Sequence, residues 1–516
     1  MKPHNYSTHD HWGIVRDIPP EEVPENSWTD GQNVQFQERS SRRVGGYERF
    51  ADPILPGGAM FAINVLYGAV GYWIYCSDTG VFVTDGKLHW DITPPTGLLP
   101  VVPGQWTGCI LNGIAVINNG RNAPMYWDFN TATPVKTLPG WPTGATCKAI
   151  RAFKYHLFAL NIFDGGSAKP DTLWWSSGAA PGAIPQEWLP TPANDAGDMV
   201  LADAPGEIVD GLALRDTFIV YKDYSTYALS YVAGQYVYTQ RKLFLTTGLQ
   251  ARNCIAELNG EHWVFTGTDV IRHDGQNFSS VVQDKVKRQL VQSIEPTKTG
   301  MCCVTSRHLN QQLWVAIPET GQSHLSKAYV INVLTNDVGV RELPQVDYLA
   351  RGIVNISEAN ISWNGDTTAV PWDMDVGAWD QQNYSPTEDS VIMCSTVDNA
   401  LWSTDTSDTA NGAPVFAYLE RQSLPINNNI MRALVTRVLP RLDGTPGEVI
   451  YIRCGGQAYF GQPIAWSDPV PFVIGQDVGA NVQVEGRLIS VRFEGSTNRQ
   501  WILHSYKLEV VDLGIF

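Results

Sequence analysis

The 516-residue chain has no run of about 18 or more apolar residues, so no transmembrane helix is expected. Its first residues, MKPHNYSTHDHWGIVRDIPPEE, lack an apolar h-region, so no secretory signal is expected either. Cysteine is sparse: eight residues, scattered, with Cys76, Cys109, Cys254 and Cys454 inside strand-like runs. That spacing excludes a disulfide framework and points to reduced core thiols of a chain made in a cytoplasm. Cys302 and Cys303 are the only close pair, and adjacent cysteines rarely bridge. Positive charge is in deficit, with 36 Lys and Arg against 52 Asp and Glu and a net charge of −16. Such a balance excludes a surface that grips nucleic-acid phosphates, though an acidic wall lets a duplex pass without sticking.

Catalytic signatures are missing as well. There is no GxSxG elbow, Walker loop, HExxH or CxxC. Ser77-Asp78-Thr79-Gly80 does not match the spacing of a sialidase Ser-x-Asp-x-Gly-x-x-Trp box and is not repeated. His262, His273 and Asp274 share one segment, but with ten histidines in the chain such neighbours arise by chance, and no triad is assigned. No catalytic, cofactor-binding or metal-binding residue is assigned and no cofactor is expected. A paired-carboxylate glycosidase site leaves no linear signature, because its carboxylates meet only in space. An enzymatic alternative therefore stays open at this point.

What the chain has in plenty is turns and aromatics: Gly 46, Pro 32 and Trp 18. One unit recurs, an aromatic and β-branched run, a polar Gly, Asn or Asp turn, and a second such run. Its clearest copy is Tyr72 to Trp90, YWIYCSDTGVFVTDGKLHW, where alternation and two turns spell antiparallel hairpins. Five more follow: Asn112 to Phe129, Lys154 to Ile162 with Asp171 to Ser177, Arg215 to Val232, Gly260 to Gly275, and Asn310 to Pro318 with Lys327 to Leu334. A spacing of about 40 to 60 residues suits a β-propeller, whose blades are small antiparallel sheets covering one another. Asp398 to Ser407 reads as one more hairpin and a candidate seventh blade. Ile74, Ile114, Phe158, Ile219, Val264 and Val315 are the inward apolar positions. Trp90, Trp127, Trp174, Trp175, Tyr227, Trp263 and Trp314 recur near blade ends, as blade-to-blade packing or, alternatively, as sugar-stacking platforms.

The expected fold is therefore all-β: a propeller of six or seven blades over residues 57–413, an N-terminal extended arm and strand over 1–56, and a C-terminal β-sandwich-like domain over 414–516. Within the arm, Asn33 to Phe36 is a candidate for closing the ring against the last blade, and Arg39, Arg42 and Arg43 form a basic group for a partner or nucleic acid, or else a solvated turn. Val282, Val286, Leu290 and Ile294 predict a helix over Ser279 to Ile294 with Gln283, Lys285, Lys287 and Arg288 outward. Residues 165–205 and 346–386 read as long insertions, candidates for gate or docking loops. The second carries Trp363, Trp372 and Trp379 among Asp366, Asp373, Asp375 and Asp380, out of register for a calcium loop. On the C-terminal strands, Arg437, Arg441, Arg453, Arg487 and Arg492 take the polar phase, a basic face for a neighbouring subunit or a solvated one.

Trp28, Asp30-Gly31, Asn33-Val34, Phe36, Arg43 and Gly45-Gly46 resemble the opening of the nozzle, or tail tubular B, proteins of short-tailed bacteriophages. The likeness continues through Leu214 to Gln250, Asn259 to Ile294, NQQLWVAIP and Gly486 to Val510, resting on order and spacing, and is weakest over residues 340–410. The resemblance implies a structural virion protein and no enzyme. It implies a homohexameric ring at the distal end of the tail, extending the DNA channel, retaining the packaged genome and opening for ejection. The partners it implies are further copies of the chain, an adaptor-type tail ring protein, tail fibres, and double-stranded DNA in transit without sequence recognition. The location it implies is the virion tail, after synthesis in the bacterial cytoplasm. The competing expectations are a propeller glycosidase or depolymerase, with carboxylates in an axial pocket, and a glycan-receptor-binding tail protein, with exposed clustered tryptophans.

Overall fold

A computed structural model of the chain describes residues 4–8, 13–51, 57–68, 70–232, 237–354, 389–426 and 432–514. Alternating aromatic and β-branched residues build seven four-stranded antiparallel units in a closed ring. Blade one comprises Phe61–Tyr67, Val70–Cys76, Val81–Thr84 and His89–Asp91. The innermost strands of blades two to six are Thr107–Leu111, Thr146–Phe153, Ile208–Leu214, Ile255–Leu258 and Cys303–Arg307. Blade seven has Tyr348–Ile353 innermost, then Asp389–Ser395 and Ala400–Thr404, so the hairpin expected over Asp398 to Ser407 does belong to a seventh blade.

Its outermost strand comes from the other end of the chain. Tyr47–Arg49 pairs antiparallel with Trp402 to Thr404 and closes the ring. Asn33 to Phe36 does not do this: Val34–Gln37 instead pairs with Val340 of blade six and with Ser40–Arg43. The closing strand lies further on because Gly45-Gly46 lets the backbone press against blade seven. A Cβ on Gly46 would sit 1.9 Å from the carbonyl oxygen of Thr409, and the Gly46 N–H donates to Ser407 O at 2.7 Å.

The C-terminal residues form two facing sheets with Trp28 between them. One holds Asp30–Gln32, Val415–Pro425, Leu488–Thr497 and Val449–Gln457. The other holds Ser40–Arg43, Trp501–Gly514, Arg432–Gly444 and Ala480–Gly486, and is hydrogen-bonded through Val34–Gln37 to blade six. Trp28 packs at 6.1 Å on Phe493 of the first sheet and 5.8 Å on Tyr506 of the second, donating its Nε1–H to Ser41 Oγ. The sandwich and the propeller thus share strands from the N-terminal segment.

Two expectations change. The helix is only Lys287–Gln292, because Phe278–Ser280 is taken as the outer strand of blade five; the apolar stripe Val282, Val286, Leu290 and Ile294 is nevertheless buried. Residues 165–205 are not one loop, since Ser167–Trp175 and Gly197–Val200 are the outer half of blade three and Trp188 packs on Trp141 at 4.7 Å. Of 346–386, Tyr348–Ile353 is a strand, and 355–386, with its tryptophans and aspartates, lies outside the described residues.

A three-charge clasp secures the closure. Asp405 of blade seven accepts from Arg341 at 2.7 Å and Arg307 at 2.5 Å, both from blade six, and Arg341 also donates to the carbonyls of Gly45 and Gly46 at 3.1 Å. Burial alone would raise the Asp405 carboxyl, but the two guanidiniums override it and hold it below its ordinary range. Asp405→Ala leaves two cations buried without a counter-charge, and an apparent loss of about 3–5 kcal/mol is expected in urea unfolding.

Candidate functional site: a filled axis and its inter-blade keys

In a propeller the natural site is the mouth of the axis, where the innermost strands converge. Here the convergence is occupied by side chains. Arg151, on the innermost strand of blade three, donates to both carboxylate oxygens of Asp210 on blade four, at 2.8 and 2.6 Å. It also donates to Asn253 Oδ1 at 2.9 Å, leading into blade five, and to Gly108 O of blade two at 2.8 Å. Asn253 completes the knot, donating its backbone N–H to Asp210 at 3.0 Å and its side-chain amide to Trp106 O at 2.9 Å. From the other side Phe61 of blade one meets Tyr348 of blade seven at 4.8 Å between ring centroids, and Cys303 of blade six lies buried beside them.

Electrostatics fit a permanent ion pair. Burial works against the Arg151 charge, but Asp210 more than offsets it, so the guanidinium is held above its ordinary range. Burial raises the Tyr348 phenol well above its ordinary range and pushes the Cys303 thiol up to about 12. Asp210 is fully buried and both its oxygens are bonded, so it is not placed to act as a general acid or base.

The groups weighed from the sequence take structural places. His262 and His273 do meet, side by side across a strand pair, but their shared partner is the Tyr221 hydroxyl at 2.8 and 2.5 Å, not a serine. Asp274 instead accepts the backbone N–H groups of Gln276 and Asn277 at 2.8 Å each. Ser77 Oγ accepts from Gly80 N at 2.8 Å inside a tight turn. Every described tryptophan is buried or half-buried, including Trp90, Trp127, Trp174, Trp175, Trp263 and Trp314. All eight cysteines are free thiols, and seven are buried.

The basic groups are divided too. Arg43 is fully buried and donates to the carbonyls of Arg499 and Asp408, while Arg42 pairs with Glu38 and Arg39 is exposed. Burial lowers Arg43 to about 10. Arg453 and Arg492 lie on one C-terminal sheet and share Glu494, whereas Arg437 and Arg441 lie on the other, so the five arginines do not make one face. Lys285 bonds Asn336 O and Lys287 pairs with Asp269, leaving Arg288 exposed on the short helix.

Sequence reasoning passed over the residues that bind the blades together: Arg151, Asp210, Asn253, Arg341, Asp405 and Lys222. Lys222, fully buried, bonds Asp171 and the carbonyls of Leu201 and Ala204, joining blades three and four. A signal existed, since CKAIRAF and IVDGLAL each set a charge inside an otherwise apolar strand run. For the axial pair, Asp210→Asn and Arg151→Met each strand a buried partner, with an expected loss of about 3–5 kcal/mol. The double variant Arg151→Met/Asp210→Leu is expected to unfold at higher urea than either single one, which denaturation followed by tryptophan fluorescence checks.

Among known proteins, no protein family and no curated protein matches the chain. Many solved structures are similar to it, among them two that match over 70% of the chain. One is described as "YCF48 bound to D1 peptide", 9% identical, covered over 99% of its length with a TM-score of 0.38. The other is described as "Crystal structure of BBS1N in complex with ARL6DN, soaked with mercury", 10% identical, covered over 96% with a TM-score of 0.36.

Proposed function

We propose that this chain is a structural subunit of a phage tail nozzle, working through the surfaces of a rigid propeller and not through chemistry at its centre. The observation that carries the reading is the filled axis. An Arg–Asp pair bonded to four blades makes the propeller a solid strut. A conduit for DNA then lies between subunits arranged in a ring, not through any one of them. The resemblance of Trp28 to Gly46, Leu214 to Gln250, Asn259 to Ile294, NQQLWVAIP and Gly486 to Val510 to tail nozzle proteins supplies the remainder: a six-fold ring, an adaptor ring above it, and fibres at its side.

The acidic balance agrees with this role. At a net charge of −16 per subunit, a ring repels a passing duplex over the Debye length, about 8 Å at physiological salt. Burial or half-burial of the described tryptophans favours packing over sugar stacking, and Asp210, the carboxylate of the axial knot, has both oxygens bonded and so is not free for glycoside hydrolysis.

The test is cryo-electron microscopy of the particle that carries the chain, with the chain marked by a specific antibody. A six-fold ring around an axial channel, with the label at the tail's distal end, is expected. A label on peripheral fibres, or on no virion, overturns the reading and leaves glycan binding and hydrolysis to be assayed.

A further inference from the structure

Blades four and five meet across a one-way chain of hydrogen bonds in which each group has a fixed role. His262 Nε2 lies 2.9 Å from the carbonyl oxygen of Ala213, so that nitrogen carries the proton and donates. His262 Nδ1 is therefore an acceptor, and at 2.8 Å it takes the Tyr221 hydroxyl proton. Tyr221 oxygen in turn accepts from His273 Nε2 at 2.5 Å, and His273 Nδ1 accepts from the Gly275 N–H at 3.2 Å. Tyr221 and Ala213 belong to blade four, and both histidines to blade five. All three side chains are essentially fully buried.

In this arrangement neither imidazole has room for a second proton. An extra proton on His262 Nδ1 would face the Tyr221 O–H, and one on His273 Nδ1 would face the Gly275 N–H, donor against donor. The charged and titratable neighbours do not relieve this. Glu257, opposite His262 on the adjoining strand, accepts the Gly260 N–H at 2.8 Å. Asp274 is engaged with its own turn. Asp210, which acts on Tyr221 from blade four, is held by Arg151. Arg215, beside Gly260, adds positive charge, and Phe244 closes the side at 5.3 Å from His273 with a ring that accepts no proton.

We infer that the seam between blades four and five is an acid-sensitive joint, which opens locally below neutral pH while the other blade contacts hold. Burial, with a smaller repulsion from His273, lowers His262 to about 3, and burial lowers His273 to about 4 despite Asp274. An exposed imidazole titrates near about 6.5. The open state thus binds more protons than the closed one between these values, and closure weakens as pH falls through 6.5 towards 4. Each histidine favours opening by about 20-fold more at pH 5 than at pH 7.

The experiment is hydrogen–deuterium exchange with mass spectrometry on the full chain at pH 7 and pH 5, corrected for intrinsic exchange rates. The expected result is faster exchange at pH 5 confined to peptides from 208–231 and 255–280, with blades one and two unchanged. His262→Gln/His273→Gln, which removes both titrating groups, is expected to abolish the difference. No change in the wild-type chain, an equal rise in all blades, or an acid response retained by the double variant overturns the inference.

Discussion

The structure depends on twenty residues near the start of the chain. Asp30–Gln32 completes one C-terminal sheet, Val34–Gln37 extends blade six, Ser40–Arg43 joins the other C-terminal sheet, and Tyr47–Arg49 closes blade seven. Each strand is three or four residues long and supplies few ladder bonds of its own. What makes the segment decisive is that it joins elements far apart in sequence. Phe36 O receives the Asn332 amide, and Thr29 Oγ1 donates to Glu420 O, across separations of 296 and 391 residues. Contacts at such separations carry a large loop-closure cost before they return any energy. The ring and the sandwich therefore reach their final form together, when the first strands find partners in the last ones.

Apolar burial holds the blades together but does not choose which one sits beside which, because the repeats are alike. Buried charges make that choice. Arg151 fits only where Asp210, Asn253 and the Gly108 carbonyl meet, and Asp405 fits only between Arg341 and Arg307. A wrong neighbour leaves an unpaired ion in a dry interior, which costs several kcal/mol. The same ions contribute little net stability when correctly paired, since desolvation nearly offsets attraction. Their effect is on specificity of blade order, and the single-file histidine relay between blades four and five does the same with neutral groups.

The blades were legible in the sequence because each is a local object. Tyr72 to Trp90 announces its hairpins through alternation and turns within twenty residues, and the structure pairs Tyr75 with Phe82 as that pattern requires. Sheet membership of the N-terminal strands was not legible. Asn33 to Phe36 and Tyr47 to Arg49 are both short, polar-flanked β runs, and only the tertiary space left at Gly45-Gly46 decides which one closes the ring. The helix was overread for a similar reason: a spacing of four from Val282 to Ile294 marks buried positions, but blade five claims Phe278–Ser280 first. The axial pair was visible as charges in apolar runs, yet nothing in the sequence says that Arg151 and Asp210 face one another.

How the cations are used bears on the surface field. Arg43, Arg151, Arg307, Arg341, Arg421 and Lys222 are all buried, drawn from only 36 Lys and Arg. Arg151 and Lys222 pair one to one with Asp210 and Asp171, while Arg307 and Arg341 share Asp405. Arg43 and Arg421 also donate to backbone carbonyls, those of Arg499 and Asp408 and those of Pro20 and Val23, and Asp408, Glu448 and Asp405 favour the Arg43 charge. These six cations are thus withheld from the surface together with Asp210 and the other carboxylates beside them, and work on the order of the blades and not on the field outside.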